Sequence, residues 1–255
     1  MTASGLEVPA PLRLLHLPTT DSTNRVAREA AQEGQPGGLV IVADRQTAGR
    51  GRQGRSWHGE PDASLLVSFM LRPDGPLSQA WVHSLVAGLA ALGAARSAGA
   101  RAWLKWPNDV LIGDRKVAGV LGEVWAPTGT LEAVILGIGL NLRSPEGGWP
   151  DPLRARATAL DAHRANPDRR AALNALCREV LGWQRALRER GPDEVVRGVE
   201  AAMGPMVGRA VRVEGRGGET HEATVLGIGQ NGALRVRQGD VERQLLAGDV
   251  HLVRP

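Results

Sequence analysis

The chain has 255 residues, a net charge of only +4 and an ordinary apolar fraction of 42%, enough for one large domain or a main domain with a small companion. A single cysteine, Cys177, excludes an intrachain disulfide and a cysteine-built metal site. Near-balanced charge, with one Phe, no Tyr and seven Trp, argues against a base-stacking nucleic-acid platform.

The first twenty residues lack the apolar core of a signal peptide, and no uninterrupted run of about 18 apolar residues follows, so a cytoplasmic protein without a membrane is expected. Asp21-Ser22-Thr23-Asn24 then precedes "RVAREAAQEG", which reads as an N-cap, a short helix and a stop at Gly34. Two strands, "GLVIVA" and "SLLVSFML", flank the segment "DRQTAGRGRQGRSW". A long apolar helix is expected over residues 77–99, followed by the short strands "RAWLK", "DVLI", "KVAGVLGEVW" and "LEAVILGIGLNL" with hairpin turns between them. Residues 143–156, rich in Gly, Pro and Arg, read as a mobile surface loop. Leu173, Leu176, Val180, Trp183 and Leu187 mark an amphipathic helix, with Cys177 beside the stripe as a packing residue. Five short alternating strands with glycine turns close the chain. The expected fold class is α+β: a mixed, largely antiparallel sheet with helices over residues 1–203, and a small SH3-like β-barrel over residues 204–255.

The glycine- and arginine-rich segment carries Gly49, Gly51 and Gly54 with Arg45, Arg50, Arg52 and Arg55. A dinucleotide fingerprint would need a helix after its third glycine, but Gly54 is followed by "RSWHGEPDAS" and a strand. No Gly-Lys-Ser/Thr follows either, which excludes a Walker loop. What remains is a flexible loop able to close over an anion, with glycine backbone to approach it and guanidiniums to bind it; a solvated surface loop is the alternative.

The composition also singles out two residues. Twenty-nine arginines stand against two lysines, Lys105 and Lys116, which lie eleven residues apart. Lysine offers a compact point charge that a planar guanidinium cannot replace. Lys105-Trp106-Pro107-Asn108-Asp109 sits between two strands, where Pro107 favours an extended Trp106. There Asn108 and Asp109 suit Mg²⁺ with phosphate oxygens, or alternatively a turn closed by local hydrogen bonds. Lys116 begins an apolar strand just after a hairpin turn. In "GIGLNL" the alternate glycines clear space beside the sheet, and Asn141 offers a donor and an acceptor.

Ser22-Thr23-Asn24, "QTAGRGRQGRSW", "KWPNDV", "RKVAGVLGE" and "GIGLNL" occur in order, and together they resemble the biotin protein ligases, biotin–[acetyl-CoA-carboxylase] ligases, over about residues 14–142. The resemblance implies activation of biotin by ATP to biotinyl-5′-AMP, then transfer to a lysine of the biotin carboxyl carrier protein, with Mg²⁺ accompanying the nucleotide. It also implies site roles. Biotin contacts fall to Ser22, Thr23, Asn24, Gln46, Gly49, Arg50, Gly51, Arg52, Trp57, Lys116 and Gly119. Arg52, Lys105, Asn108, Asp109, Lys116, Asn141 and Trp149 fall on the ATP side. Lys116 and Arg52 are the catalytic pair, and Asp109 is the candidate Mg²⁺ ligand.

Some members of this family carry an N-terminal DNA-binding domain. About 20 residues precede the first helix here, so neither DNA binding nor a repressor role is expected, and a homodimer is compatible with the pattern. Lipoate ligases and octanoyltransferases share the broad fold, but "GRGRQGRSW" with "KWPND" favours biotin. An RNA-binding module, or a biotin-binding protein without catalysis, leaves the two isolated lysines unexplained.

Overall fold

The computed structural model describes residues 5–214, 219–246 and 250–253. Among these, β1 (Arg13–Thr20), α1 (Thr23–Gln32), β2 (Leu39–Gln46) and β3 (Ser64–Leu71) lead into α2 (Trp81–Ser97). Then come β4 (Ala102–Lys105), β5 (Asp109–Ile112), β6 (Arg115–Trp125) and β7 (Ala133–Asn141). A short α3 (Asp151–Arg154) precedes α4 (Arg169–Arg190) and α5 (Pro192–Ala202). The C-terminal strands are β8 (Ala210–Glu214), β9 (Thr220–Ile228), β10 (Leu234–Gln238), β11 (Val241–Leu245) and β12 (Val250–Leu252). Two of the expected glycine turns, 215–218 and 247–249, lie outside the described residues.

The seven-stranded sheet has the order β1-β2-β3-β7-β6-β5-β4, antiparallel except for the β1–β2 pair, and the second sheet has the antiparallel order β11-β10-β9-β8-β12. The α+β class expected from the sequence is therefore observed. Strand alternation divides the large sheet cleanly. Val40, Val42, Leu65, Val67, Phe69, Leu136, Ile138 and Leu140 point to the face covered by α2, α4 and α5. Ile41, Met70, Ala133 and Ile135 point to the other face, where α1 alone supplies Ala27, Ala30 and Ala31.

This asymmetry positions the site. One helix covers only part of its face, so the middle of β3, β7 and β6 is left open beyond the end of α1. Helix α2 is apolar all round because it is buried between the sheet and the other two helices. The stretch Leu77–Ser97, which ends in α2, is long and apolar enough by composition to cross a membrane, yet 67% of its apolar 18-residue window is buried inside the fold. Cys177 lies in the same core, where burial pushes its thiol up to about 12; it is inert packing, as its place beside the helical stripe indicated.

Candidate active site

The open part of the sheet is floored by glycine. Gly119 on β6 pairs with Gly139 on β7, and Gly137 lies two residues before Gly139 on the same strand. The indole of Trp57 lies against this floor: a Cβ on Gly139 would meet Trp57 Cε2 at 2.2 Å, and one on Gly119 would meet Cζ3 at 2.8 Å. At Gly137 an added Cβ would stand 2.1 Å from Asn24 Oδ1. Any larger residue at these positions would fill the space that the site occupies. The cleft above has a volume of about 1500 Å³, larger than a pocket for a single small ligand.

One end of the cleft is polar and uncharged. Ser22 occupies the N-cap position of α1 but makes no capping bond of its own. Gln46 does this instead, its Oε1 accepting from Thr23 N at 2.7 Å and Thr23 Oγ1 at 3.0 Å. The Ser22 hydroxyl is therefore not spent on the helix end, and the Gln46 NH₂ is the free donor end of that side chain. Ser68 Oγ on β3 donates to Asn24 Oδ1 at 2.6 Å and lies 2.7 Å from Thr23 Oγ1. Asn24 Nδ2 donates to Leu121 O at 3.3 Å and to Glu123 Oε2 at 2.9 Å. With its carboxamide engaged at both ends, Asn24 is a wall of the pocket rather than a free contact.

The other end is cationic. A bulge in the β5–β6 ladder explains how Lys116 reaches it: Val110 pairs with Ala118 while Leu111 pairs with Lys116, leaving Val117 as the extra residue. Simple alternation would put Lys116 on the α2 face with Ala118 and Val120. The bulge turns it to the glycine face, where a Cβ on Gly119 would meet its Nζ at 2.7 Å. Its backbone is held from outside the ladder, since Lys116 N donates to Arg156 O at 2.7 Å and Thr158 N donates to Lys116 O at 2.9 Å. Lys116 Nζ lies 2.6 Å from Asp109 Oδ1 and 5.2 Å from the Trp57 ring centroid.

Lys105 Nζ approaches the second oxygen of Asp109 at 3.5 Å. Burial pushes the Asp109 carboxyl up, but Lys116 and Lys105 outweigh it and hold the group below the usual carboxylate range. Lys105 is lowered by burial, with the charge of Lys116 adding to the effect against the opposing pull of Asp109. Arg52 donates to Asn108 Oδ1 at 3.3 Å, and its guanidinium is also lowered by burial. Arg55, Arg156 and, from β12, His251 line the same end. Asn141 Nδ2 donates to Thr158 O at 2.9 Å, while its buried Oδ1 has no partner among the described residues.

Between the two ends lies the arginine loop, folded as a narrow hairpin. Arg50 bridges Ser56, Gly51 N donates to Arg55 O at 2.6 Å, and Trp57 N donates to Gly49 O at 2.9 Å. Its neck is tight, for a Cβ on Gly49 would meet Trp57 O at 2.7 Å.

One cleft thus collects Ser22, Thr23, Asn24, Gln46, Arg50, Gly51, Arg52, Trp57, Lys105, Asn108, Asp109, Lys116, Gly119, Asn141 and Trp149, while Gly49 sits at the hairpin's neck. The Trp106–Pro107 peptide is cis and turns the chain tightly there, with Trp106 Nε1 donating to Gly232 O at 3.0 Å. One expectation changes. Both Asp109 oxygens face lysines, and no cluster of three acidic, His or Cys side chains suited to a metal occurs among the described residues, so Asp109 does not fit the role of a Mg²⁺ ligand. Ser68 is not singled out in the sequence reading, and Glu123, which closes "RKVAGVLGE", gains a role only from the structure. Each had a signal, as the lone hydroxyl within "LLVSFML" and the one charge within "VAGVLGEVW".

Residues 17–141 match the biotin/lipoate A/B protein ligase family, and residues 207–253 match the biotin protein ligase C terminal domain. The chain is 39% identical over 148 residues to the bifunctional ligase/repressor BirA of Bacillus spizizenii, a match covering 58% of this chain and 46% of that protein, so it spans about half of that relative's length. It is 36% identical over 242 residues to the biotin–[acetyl-CoA-carboxylase] ligase of Mycobacterium tuberculosis, covering 91% and 85% of the two chains. Among solved structures, the biotin protein ligase from Aquifex aeolicus in complex with biotin and ATP superposes with a TM-score of 0.78 at 30% identity, covering 95% of this chain and 99% of that one. An uncharged polar pocket joined to a cationic one on a glycine floor, within this fold and at these identities, places the chain in the biotin protein ligase family.

Proposed function

We propose that the protein is an ATP-dependent biotin ligase that makes biotinyl-5′-AMP and passes biotin to a lysine of a biotin carboxyl carrier protein. One observation carries this reading: a single cleft runs from the Ser22–Thr23–Gln46 cluster over an apolar floor to Lys116, Lys105 and Arg52. Biotin has the same polarity along its length. Its ureido head needs uncharged donors and acceptors, its ring and chain need an apolar bed, and its carboxylate needs a cation. The Aquifex aeolicus relative, solved with biotin and ATP, supports both substrates.

In the first step a biotin carboxylate oxygen attacks the α-phosphorus, and the bond to the bridging oxygen breaks to release pyrophosphate. Two unit negative charges brought to about 4 Å repel by roughly 4 kcal/mol at an effective dielectric of about 20. Lys116 and Arg52 offset that repulsion, and they do so without reorganising because Asp109 and Asn108 already orient them. Asn141 and Trp149 line the same cleft and fall on the nucleotide side in this reading. In the second step the acceptor lysine's neutral amine attacks the acyl carbon, AMP leaves, and the amine's proton passes to solvent.

This reading assigns residues 1–203 to catalysis and residues 204–255 to a small companion domain, in a cytoplasmic enzyme compatible with a homodimer. Incubation with labelled biotin, MgATP and a carrier domain should label the carrier, and omission of ATP should abolish the label. Lipoyl transfer without biotinyl transfer would refute the assignment.

A further inference from the structure

Glu123 stands out because three side chains from two separate elements converge on its one carboxylate. Arg28 of α1 donates to Oε1 at 2.8 Å, Asn24 of α1 donates to Oε2 at 2.9 Å, and Arg50 of the hairpin lid reaches Oε2 at 3.7 Å. The Glu123 side chain is 16% exposed while that of Arg50 is 46% exposed. Strand alternation sets Glu123 on the same face as Gly119 and Leu121, beside the uncharged end of the cleft.

We infer that Glu123 is a positioning residue for the ligase reaction: it fixes the Asn24 wall of the biotin pocket and latches the lid through Arg50. The inference rests on the reading of the cleft as a biotin site. Two kinds of contact are combined in the one group. The Asn24 and Arg28 bonds lie within normal hydrogen-bond length and hold the carboxylate still. The Arg50 contact is longer than a hydrogen bond and half in solvent, so it is weak and reversible. A lid that must admit biotin and later expose the adenylate needs a catch of that kind, whereas a short buried ion pair would hold it shut. Because Oε2 serves both Asn24 and Arg50, closing the lid also tightens the pocket wall that Ser68 supports from the other side.

The test compares wild type, Glu123→Gln, Arg50→Gln and the double variant in release of radiolabelled biotin chased by unlabelled biotin. A glutamine at 123 keeps an acceptor for Asn24 and removes the charge that Arg50 meets. Each single change should speed release about threefold to fivefold, the equivalent of about 0.7–1 kcal/mol at 1.4 kcal/mol per tenfold. The double variant should release no faster than the faster single one, because both remove the same contact. KM for biotin should rise in step, with a smaller change in kcat. Unchanged release in Glu123→Gln, or additive effects in the double variant, would overturn the latch alone. Wild-type protein that does not retain labelled biotin would overturn the latch and the biotin reading together.

Discussion

Lys116 holds a point charge at a spot too confined for a guanidinium. Its Nζ lies between Asp109, the face of Trp57 and the bare backbone of Gly119. A planar fork there would collide with the indole or abandon Asp109. Lys116→Arg should therefore lower single-turnover formation of biotinyl-5′-AMP by about a hundredfold, the scale of one lost electrostatic contact to a transition state. Its thermal midpoint should stay near that of wild type. Adenylate formation at the wild-type rate would remove Lys116 from the mechanism. Arg52 acts at the same end but from the lid, so its loss should show in retention. Arg52→Gly is expected to let free biotinyl-5′-AMP accumulate in solution, measurable by chromatography of the filtrate; an intermediate held as firmly as in wild type would contradict this.

The glycine floor is a property of paired strands rather than of single residues. Gly119 and Gly139 face each other across β6 and β7, and together they clear the bed on which Trp57 lies. Gly139→Ala would drive a methyl into that indole. Overpacking of this sort costs about 1–3 kcal/mol, so biotin affinity measured by calorimetry should fall about tenfold or more while the fold persists. Unaltered affinity would mean that Trp57 does not form the bed. The strands carrying these glycines were legible as apolar runs, and so was the spacing of the glycines themselves. The bulge at Val117 was not, because nothing local in "RKVAGV" reveals that β5 skips a residue; only the pairing shows it. Strand β1 and helix α5 were likewise missed. "RLLHLPTT" is an edge strand with weak alternation and an internal proline, and α5 is a short helix marked only by Gly191-Pro192 at its start. That the glycine- and arginine-rich segment belongs to the site could be read because chemistry and spacing coincide there, and the hairpin lines the cleft. Asp109 could not be assigned from sequence, since its partners Lys105 and Lys116 become known only when β4, β5 and β6 are folded together.

Across the whole molecule, the large sheet and the C-terminal sheet are joined close to the site. Trp106 Nε1 donates to Gly232 O, and Arg209 grips Asp114 through both oxygens at 2.9 and 3.2 Å, at the hairpin just before Lys116. The core behind the site carries one titrating liability. His83 on α2 is pushed down to about 4 by burial, against the opposing hydrogen bond with Gln184. The unfolded chain therefore takes up this proton first as pH falls. The stability tied to His83 is complete above its ordinary value of 6.5 and declines toward pH 4. Between pH 6.5 and 5 the loss should be about 1.6 kcal/mol in urea unfolding, and His83→Gln should flatten that slope. Equal slopes in the two proteins would show that another group governs the acid response.

If one cleft activates biotin with ATP, the protein will exchange labelled pyrophosphate into ATP. That exchange should require biotin, should not be supported by lipoate in its place, and should collapse in Lys116→Arg. Exchange independent of biotin, or none at all from protein that binds both substrates, would contradict that activation.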